Sequence, residues 1–148
     1  RVDREALSRA LWNLLDNAVK YSPGRPAIWV DLAREGKRIK GRAFGSPLAR
    51  GLFRRASTAE VDPRAKPRAP AAVALRVRDQ GPGIPIEEQK EIFNKFVRGS
   101  AARASSVKGT GVGLAMVRHT VRAHGGEVRV ESRPGEGSTF TILLPWEG

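Results

Sequence analysis

A change of hydrophobic period along the chain constrains the fold more than any other feature of the sequence. From residue 3 to residue 21, apolar residues recur at the three- and four-residue spacing of one helix face. Asp3 is a suitable N-cap for this helix, and Ser22-Pro23-Gly24 would end it, because proline cannot continue a helix. Later in the chain, apolar and polar residues alternate, which predicts four strands at 27–33, 72–78, 127–132 and 138–144.

Two further helices complete the predicted set. Pro85 suits the first turn of a helix that runs to about Phe96, and a glycine-led helix is expected at 111–124. Residues 97–110 are predicted to form a loop. We expect an α+β fold, a two-layer α/β sandwich whose mixed, mostly antiparallel sheet is covered on one face by three helices. The buried face of the first strand is predicted to carry Ile28, Val30 and Leu32.

Composition limits the chemistry of this 148-residue chain, which we expect to form a single domain, 1–148. It has no cysteine and two histidines, which excludes a disulfide framework, thiol catalysis and cysteine-bound metals. No apolar run is long enough to span a bilayer, so we expect a soluble fragment of a larger protein. A cytoplasmic location is expected for this fragment, and membrane anchoring of the parent protein stays open.

The net charge of +12 is concentrated in residues 34–71, which hold eleven basic and three acidic residues. This segment joins two predicted strands and is rich in proline, alanine and glycine, which is typical of a solvated loop. The spacing of Leu48, Leu52, Phe53 and Ala56 would allow one short amphipathic helix within it. Contact of this basic insertion with nucleic acid, with acidic lipid or with a partner protein stays open.

Polar residues flank the apolar stripe of the first helix. Asn13, Asn17 and Lys20 share one side of it. An asparagine oxygen is a hard ligand suited to Mg²⁺, and a lysine is a point charge for phosphate. The alternative interpretation is an ordinary solvated helix face.

Two glycine-containing segments could contact a ligand. Asp79 directly follows a predicted strand and begins Asp79-Gln80-Gly81-Pro82-Gly83, where a carboxylate could accept hydrogen bonds from an exocyclic amine. A simple turn would have the same composition. The run from Gly109 to Leu114 opens a helix, whose free N–H groups favour a phosphate.

In chain order, these segments resemble the motifs of the catalytic and ATP-binding domain of bacterial sensor histidine kinases, within the gyrase, Hsp90, histidine kinase and MutL ATPase superfamily. NLLDNAVKYSP (13–23) resembles the N box, DQGPGIP (79–85) the G1 box, IFNKFVRG (92–99) the F box and GTGVGLAMV (109–117) the G2 box. The resemblance covers about 1–33 and 72–146 and implies the Bergerat-type ATP-binding fold. The basic insertion lies outside it.

The resemblance implies roles for individual residues. Asn17 would hold Mg²⁺, Asp79 would bind the adenine amine, and Arg98 on the lid at 97–110 would reach the triphosphate. Asn17, Lys20 and Arg98 are the candidate catalytic residues. The candidate ATP-binding residues are Asn13, Asn17, Lys20, Tyr21, Asp79, Gly81, Gly83, Ile84, Lys108, Gly109, Thr110, Gly111, Val112, Gly113, Leu114 and Thr139.

Three functions remain open at this point. The resemblance implies transfer of the ATP γ-phosphate to a histidine on a separate dimerisation domain, with a response regulator as the indirect partner. The first alternative keeps the fold but makes a protein serine the acceptor, as in anti-sigma-factor serine kinases. The second is a non-catalytic binding module that acts through the basic insertion. Deletion of residues 36–70 would abolish partner binding if the chain is such a binding module. Nucleotide binding would survive this deletion if the chain is a histidine kinase or a serine kinase domain.

Overall fold

The computed structural model describes residues 2–22, 24, 27–35 and 71–146. Their elements follow in chain order: α1 (Arg4–Lys20), β1 (Trp29–Glu35), β2 (Ala71–Arg78), a 3₁₀ turn (Glu91–Phe93), α2 (Ser100–Ala104), α3 (Gly113–Ala123), β3 (Glu127–Arg133) and β4 (Gly137–Trp146). Nearly all of the basic insertion lies outside the described residues, and so does the short helix predicted there.

The four strands form one sheet in the order β1-β2-β4-β3, and each neighbouring pair is antiparallel. This confirms the predicted α+β fold. The two predicted hairpins are present, since β1 pairs with β2 and β3 pairs with β4. The central strands β2 and β4 place Val77 opposite Phe140.

The helices α1 and α3 pack together over one face of this sheet. Their apolar stripes meet the inward residues of β2 and β4, and the ring of Phe93 packs edge-on against Phe140 with centroids 6.2 Å apart. Each buried large apolar side chain contributes about 1.5–3 kcal/mol. The buried core consists of Ala10, Leu14, Ala18, Val77, Ile92, Phe93, Val117, Val121, Phe140 and Ile142.

The start of α1 and the end of α3 are joined by side-chain hydrogen bonds. The Asp3 carboxylate accepts the Ala6 N–H at 3.0 Å, which confirms the predicted N-cap. His124 follows α3, and its Nε2 accepts the Asp3 N–H at 3.0 Å. Since Nδ1 lies 2.7 Å from the Thr120 carbonyl oxygen, Nδ1 carries the ring proton of the neutral histidine.

The prediction of a helix from Pro85 to Phe96 is wrong. This segment forms successive turns and the short 3₁₀ helix, and Asn94 is already extended. The Gln89 side chain donates to the carbonyl oxygens of Ile84 and Ser132, so it ties these turns to β3. The predicted loop at 97–110 contains the five-residue helix α2.

The predicted burial of the first strand is also wrong for two of its residues. Val30 is 54% exposed and Leu32 is 68% exposed, whereas Ile28 packs partly against the core. β1 is an edge strand, and α1 packs against β2, so the apolar side chains of β1 extend beyond the helices.

In the part of the chain that the structure describes, no helix has the length and apolar character needed to cross a membrane.

Candidate functional site

A cavity of about 260 Å³ lies between α1, the start of α3, the ends of β2 and β4 and the segment 97–110, here called the lid. Most of the predicted site residues lie on its wall. They are Asn13, Asn17, Lys20, Tyr21, Asp79, Gly83, Ile84, Arg98, Lys108, Gly109, Thr110, Gly111, Val112, Gly113 and Leu114. The fold therefore brings the four sequence motifs to one place.

Gly81 and Thr139 are the two predicted residues that the cavity wall does not include. Gly81 lies behind Asp79, whose Oδ1 accepts the Gly81 N–H. Thr139 lies on β4 between Ser138 and Phe140, which both line the cavity. Successive residues of a strand face opposite sides of the sheet, so Thr139 is on the other side. The β4 residue that lines the site is therefore Ser138, one position earlier.

Asp79 ends β2 at the base of the cavity and is only 6% exposed. Its Oδ1 accepts backbone N–H groups from Gly81 at 2.8 Å and from Ser138 at 3.2 Å. Burial raises the pKa of this carboxyl above its usual value, and the two backbone hydrogen bonds oppose that rise. Its Oδ2 makes no hydrogen bond within the described residues, so this oxygen can accept one from a ligand amine.

The turn after Asp79 needs glycine because it packs against the β3–β4 hairpin. Gly83 has φ +76°, and a Cβ at this position would lie 1.9 Å from the Arg133 carbonyl oxygen. The Gly135 N–H donates to the Pro82 carbonyl oxygen at 2.7 Å across the same contact. The hairpin thus fixes the base of the cavity.

The polar side of α1 forms a second wall. Lys20 Nζ pairs with the Asp16 carboxylate at 2.5 Å, and both side chains remain about half exposed. The Asn13 side-chain nitrogen donates to the Arg9 carbonyl oxygen, while its Oδ1 lies 3.3 Å from where a Cβ on Gly113 would stand. The Asn17 side chain makes no hydrogen bond in the described part of the chain, so its oxygen is available to a ligand.

The first turn of α3 faces this wall. The first backbone hydrogen bond of the helix runs from the Met116 N–H to the Val112 carbonyl oxygen at 2.9 Å. The N–H groups of Gly113 and Leu114 therefore precede the helical hydrogen-bond ladder and remain free for an anion. Gly111, with φ +72°, accepts the Phe96 N–H at 2.9 Å, which closes the base of the lid.

Arg98 lies on the wall, but its guanidinium binds within the lid. Nη2 donates to the carbonyl oxygens of Ala102 and Val107, both at 2.6 Å, and Nε is buried without a partner in the described part. Contact of Arg98 with a triphosphate remains a prediction.

Several wall residues were not predicted from the sequence. The most informative are Asp16, which pairs with Lys20, Glu88, which contacts the lid, and Ser138, which holds Asp79. Alternation along β4 from Phe140 would have placed Ser138 on the cavity face. The sequence carries no comparable signal for Glu88, because its segment is neither a regular helix nor a strand.

The donor set fits Mg²⁺ bound together with a nucleotide. Among the described residues, no group of three or more histidine, aspartate or glutamate side chains could hold a metal by itself. The free Asn17 oxygen is a neutral hard donor, which suits an ion that keeps waters and takes its other ligands from phosphates.

The chain belongs to the family of histidine kinase-, DNA gyrase B- and HSP90-like ATPases, whose profile matches residues 49–148. It is an ATP-binding domain of the sensor histidine kinase class. The sensor-like histidine kinase SenX3 of Mycobacterium tuberculosis (strain ATCC 25618 / H37Rv) is 34% identical over 143 residues, which are 97% of this chain and 27% of that protein.

A second relative is the signal transduction histidine-protein kinase/phosphatase MprB of Mycobacterium sp. (strain KMS), which is 35% identical over 147 residues, 97% of this chain and 22% of that protein. The solved structure of mycobacterial sensor histidine kinase MprB superposes with a TM-score of 0.64 at 31% identity, and covers 97% of this chain and 74% of that one. The chain thus spans about a quarter of the length of these curated relatives.

Proposed function

We propose that this domain binds ATP with Mg²⁺ and donates the γ-phosphate to a histidine on a separate dimerisation and phosphotransfer domain of the same kinase. A response regulator would receive the phosphoryl group afterwards. The observation that carries the proposal is one cavity whose wall combines the buried Asp79 carboxylate with the amide, ammonium and free N–H groups of α1 and α3. The carboxylate suits the amine of adenine, and the other groups suit a triphosphate.

The adenine end is defined by Asp79. Its free Oδ2 would accept the exocyclic amine of adenine, while Oδ1 stays fixed by the N–H groups of Gly81 and Ser138. Guanine has a carbonyl oxygen where adenine has this amine, and that oxygen would face the carboxylate. Phe140 and Ile84 provide apolar surface beside this carboxylate for the purine ring.

The phosphate end is formed by α1 and α3. Lys20 and the N–H groups of Gly113 and Leu114 would bind the phosphates, and Asn17 would hold Mg²⁺ against them. The ion supplies charge neutralisation to the transferred phosphoryl group. The chain's own residues position the nucleotide and present its γ-phosphate to an acceptor, since phosphoryl transfer leaves little covalent chemistry to the protein.

Calorimetric titration with ATP, ADP and GTP, with Mg²⁺ and with EDTA, tests the binding part of this proposal. We expect saturable binding of the two adenine nucleotides, weaker binding of GTP and a stronger dependence on Mg²⁺ for ATP than for ADP. A folded chain that binds none of the three nucleotides would contradict the proposal.

Phosphoryl transfer is tested by adding a dimerisation domain of a matched relative together with Mg²⁺ and γ-labelled ATP. Phosphohistidine is lost in acid and survives base, whereas phosphoserine survives acid. Acid-labile label on the added domain supports the histidine kinase function. Acid-stable label would favour the serine kinase alternative.

A further inference from the structure

Glu88 contacts the lid from the body of the domain. It lies on the turn segment that precedes the lid, and its Oε2 accepts the Ser100 N–H at 2.9 Å, at the first residue of α2. Its Oε1 lies 3.9 Å from Nη2 of Arg103. Both of its partners are lid residues, so this one carboxylate joins the lid to the wall of the cavity.

The lid is organised around the same contact. Arg103 donates from Nη1 to the Arg98 carbonyl oxygen at 2.6 Å. Arg98 in turn donates to the carbonyl oxygens of Ala102 and Val107. The hydrogen bonds inside the lid therefore hold α2 and the irregular segment that follows it as one unit, and Glu88 fixes that unit beside the cavity.

The charge of Glu88 is balanced by its lid contacts. An unpaired carboxylate on the wall of a cavity for a polyanion would repel the ligand. The Ser100 N–H and the nearby Arg103 stabilise the ionised form, and the hydrogen bond from the Ser100 backbone is the main reason that the pKa of Glu88 lies below its usual value. Glu88 thus stays ionised at neutral pH, where a charge-assisted hydrogen bond is at its strongest.

We propose that Glu88 is a positioning residue that latches α2 over the cavity and slows the release of bound nucleotide. The inference rests on the proposed function, since it assumes that the cavity holds a nucleotide. Gly99 shows how closely the lid approaches Glu88, because a Cβ at this position would lie 3.1 Å from Glu88 Oε2.

The test compares Glu88→Ala with Glu87→Ala, because a glutamine at position 88 would keep an oxygen that accepts the Ser100 N–H. Glu87 is the neighbouring residue, it is exposed, and it does not line the cavity, so its variant has the same charge change without the latch. Dissociation of a fluorescent N-methylanthraniloyl-ADP is measured by stopped flow in Mg²⁺ with excess ADP as the chase. We expect Glu88→Ala to raise the dissociation rate on the order of three- to tenfold and Glu87→Ala to leave it unchanged.

A second readout needs no nucleotide. Amide hydrogen exchange at Ser100, followed by NMR in the ligand-free chain, should be slow in the wild type and in Glu87→Ala and faster in Glu88→Ala. Should Glu88→Ala fail to fold, Arg103→Gln tests the latch from the lid side. We then expect a smaller rise in the dissociation rate, because the Ser100 hydrogen bond remains.

The outcomes separate this inference from the proposed function. If the wild type binds the ADP analogue, and Glu88→Ala loses Ser100 protection but releases the analogue at the wild-type rate, the latch is overturned and nucleotide binding stands. Unchanged Ser100 exchange in a folded Glu88→Ala also overturns the latch. A wild type with slow Ser100 exchange but no binding of the analogue refutes the proposed function, and the release role of Glu88 with it.

Discussion

Replacing Asp79 with asparagine should separate nucleotide binding from folding more clearly than any other change in this chain. The substitution keeps the shape of the side chain. The oxygen that remains can still accept the N–H groups of Gly81 and Ser138, which donate to Oδ1 in the wild type. The new NH₂ group then replaces the free Oδ2. The amine of adenine therefore faces a hydrogen-bond donor in the variant, whereas it faces an acceptor in the wild type.

The expected loss of affinity follows from the burial of this group. A hydrogen bond to a charged acceptor contributes about 1.5–3 kcal/mol. Asp79 is only 6% exposed, so solvent screening removes little of that contribution. The dissociation constant for ADP should therefore rise roughly 10- to 150-fold.

Asp79→Asn should weaken ADP binding, but it should not lower the stability of the fold. The pKa of Asp79 is raised mainly by burial, so the folded chain holds this proton more tightly than the unfolded chain does. The stabilisation from that proton is complete below the unfolded pKa and is lost as pH rises through the folded pKa. At pH 7 the buried charge destabilises the fold, so Asp79→Asn should match or exceed the wild-type melting temperature.

The assay is calorimetric titration with ADP, paired with thermal unfolding followed by circular dichroism. Asp31→Asn is the matched control, because Asp31 is an exposed carboxylate of the same sheet that pairs with Arg76 and does not line the cavity. Its affinity for ADP should equal that of the wild type. Near-wild-type affinity in Asp79→Asn would refute the assigned role, and so would a loss of affinity that accompanies a lower melting temperature.

Four other substitutions test the site and the packing around it. Asn17→Ala should reduce the difference in ATP affinity between Mg²⁺ and EDTA in calorimetry, because it removes the free amide oxygen. Gly83→Ala should lower the free energy of unfolding in urea by at least about 2 kcal/mol, since the Cβ would overlap the Arg133 carbonyl and the positive φ adds strain. Phe140→Ala should cost about 3–5 kcal/mol in the same assay. Asp3→Ala should lower the melting temperature at neutral pH, where the Asp3 pKa is depressed mainly by the Ala6 N–H, and the difference from the wild type should vanish as pH falls through that pKa.

The sequence predicts the parts of the fold that depend on local periodicity. The spacing of apolar residues in α1 and the cap at Asp3 are properties of the segment itself. The same holds for the hairpin between β3 and β4, whose turn at 134–136 is marked by Pro134 and Gly135. These elements were predicted because neighbouring residues decide them.

The errors occur where distant residues decide the structure. Burial of Val30 depends on whether β1 is central or at the edge of the sheet, and a strand pattern does not contain that information. The turns after Pro85 are tied to β3 by the Gln89 side chain, which donates to the Ser132 carbonyl oxygen 43 residues away, and no local pattern encodes that contact. The choice of Thr139 is a different kind of error, because alternation along β4 from Phe140 already places Ser138, and not Thr139, on the cavity face.

The balance of charge in the cavity links its ligand to its architecture. Carboxylates on the wall would oppose a polyanion, and each of them is compensated differently. Asp79 accepts two backbone N–H groups at the base, and Glu88 accepts the Ser100 N–H. Asp16 pairs with Lys20, but both side chains are about half exposed, so this surface pair is weak enough for a phosphate to compete for Lys20. The cavity can therefore hold carboxylates beside a triphosphate, because backbone N–H groups bind Asp79 and Glu88, and only Asp16 would lose its partner when a phosphate binds Lys20.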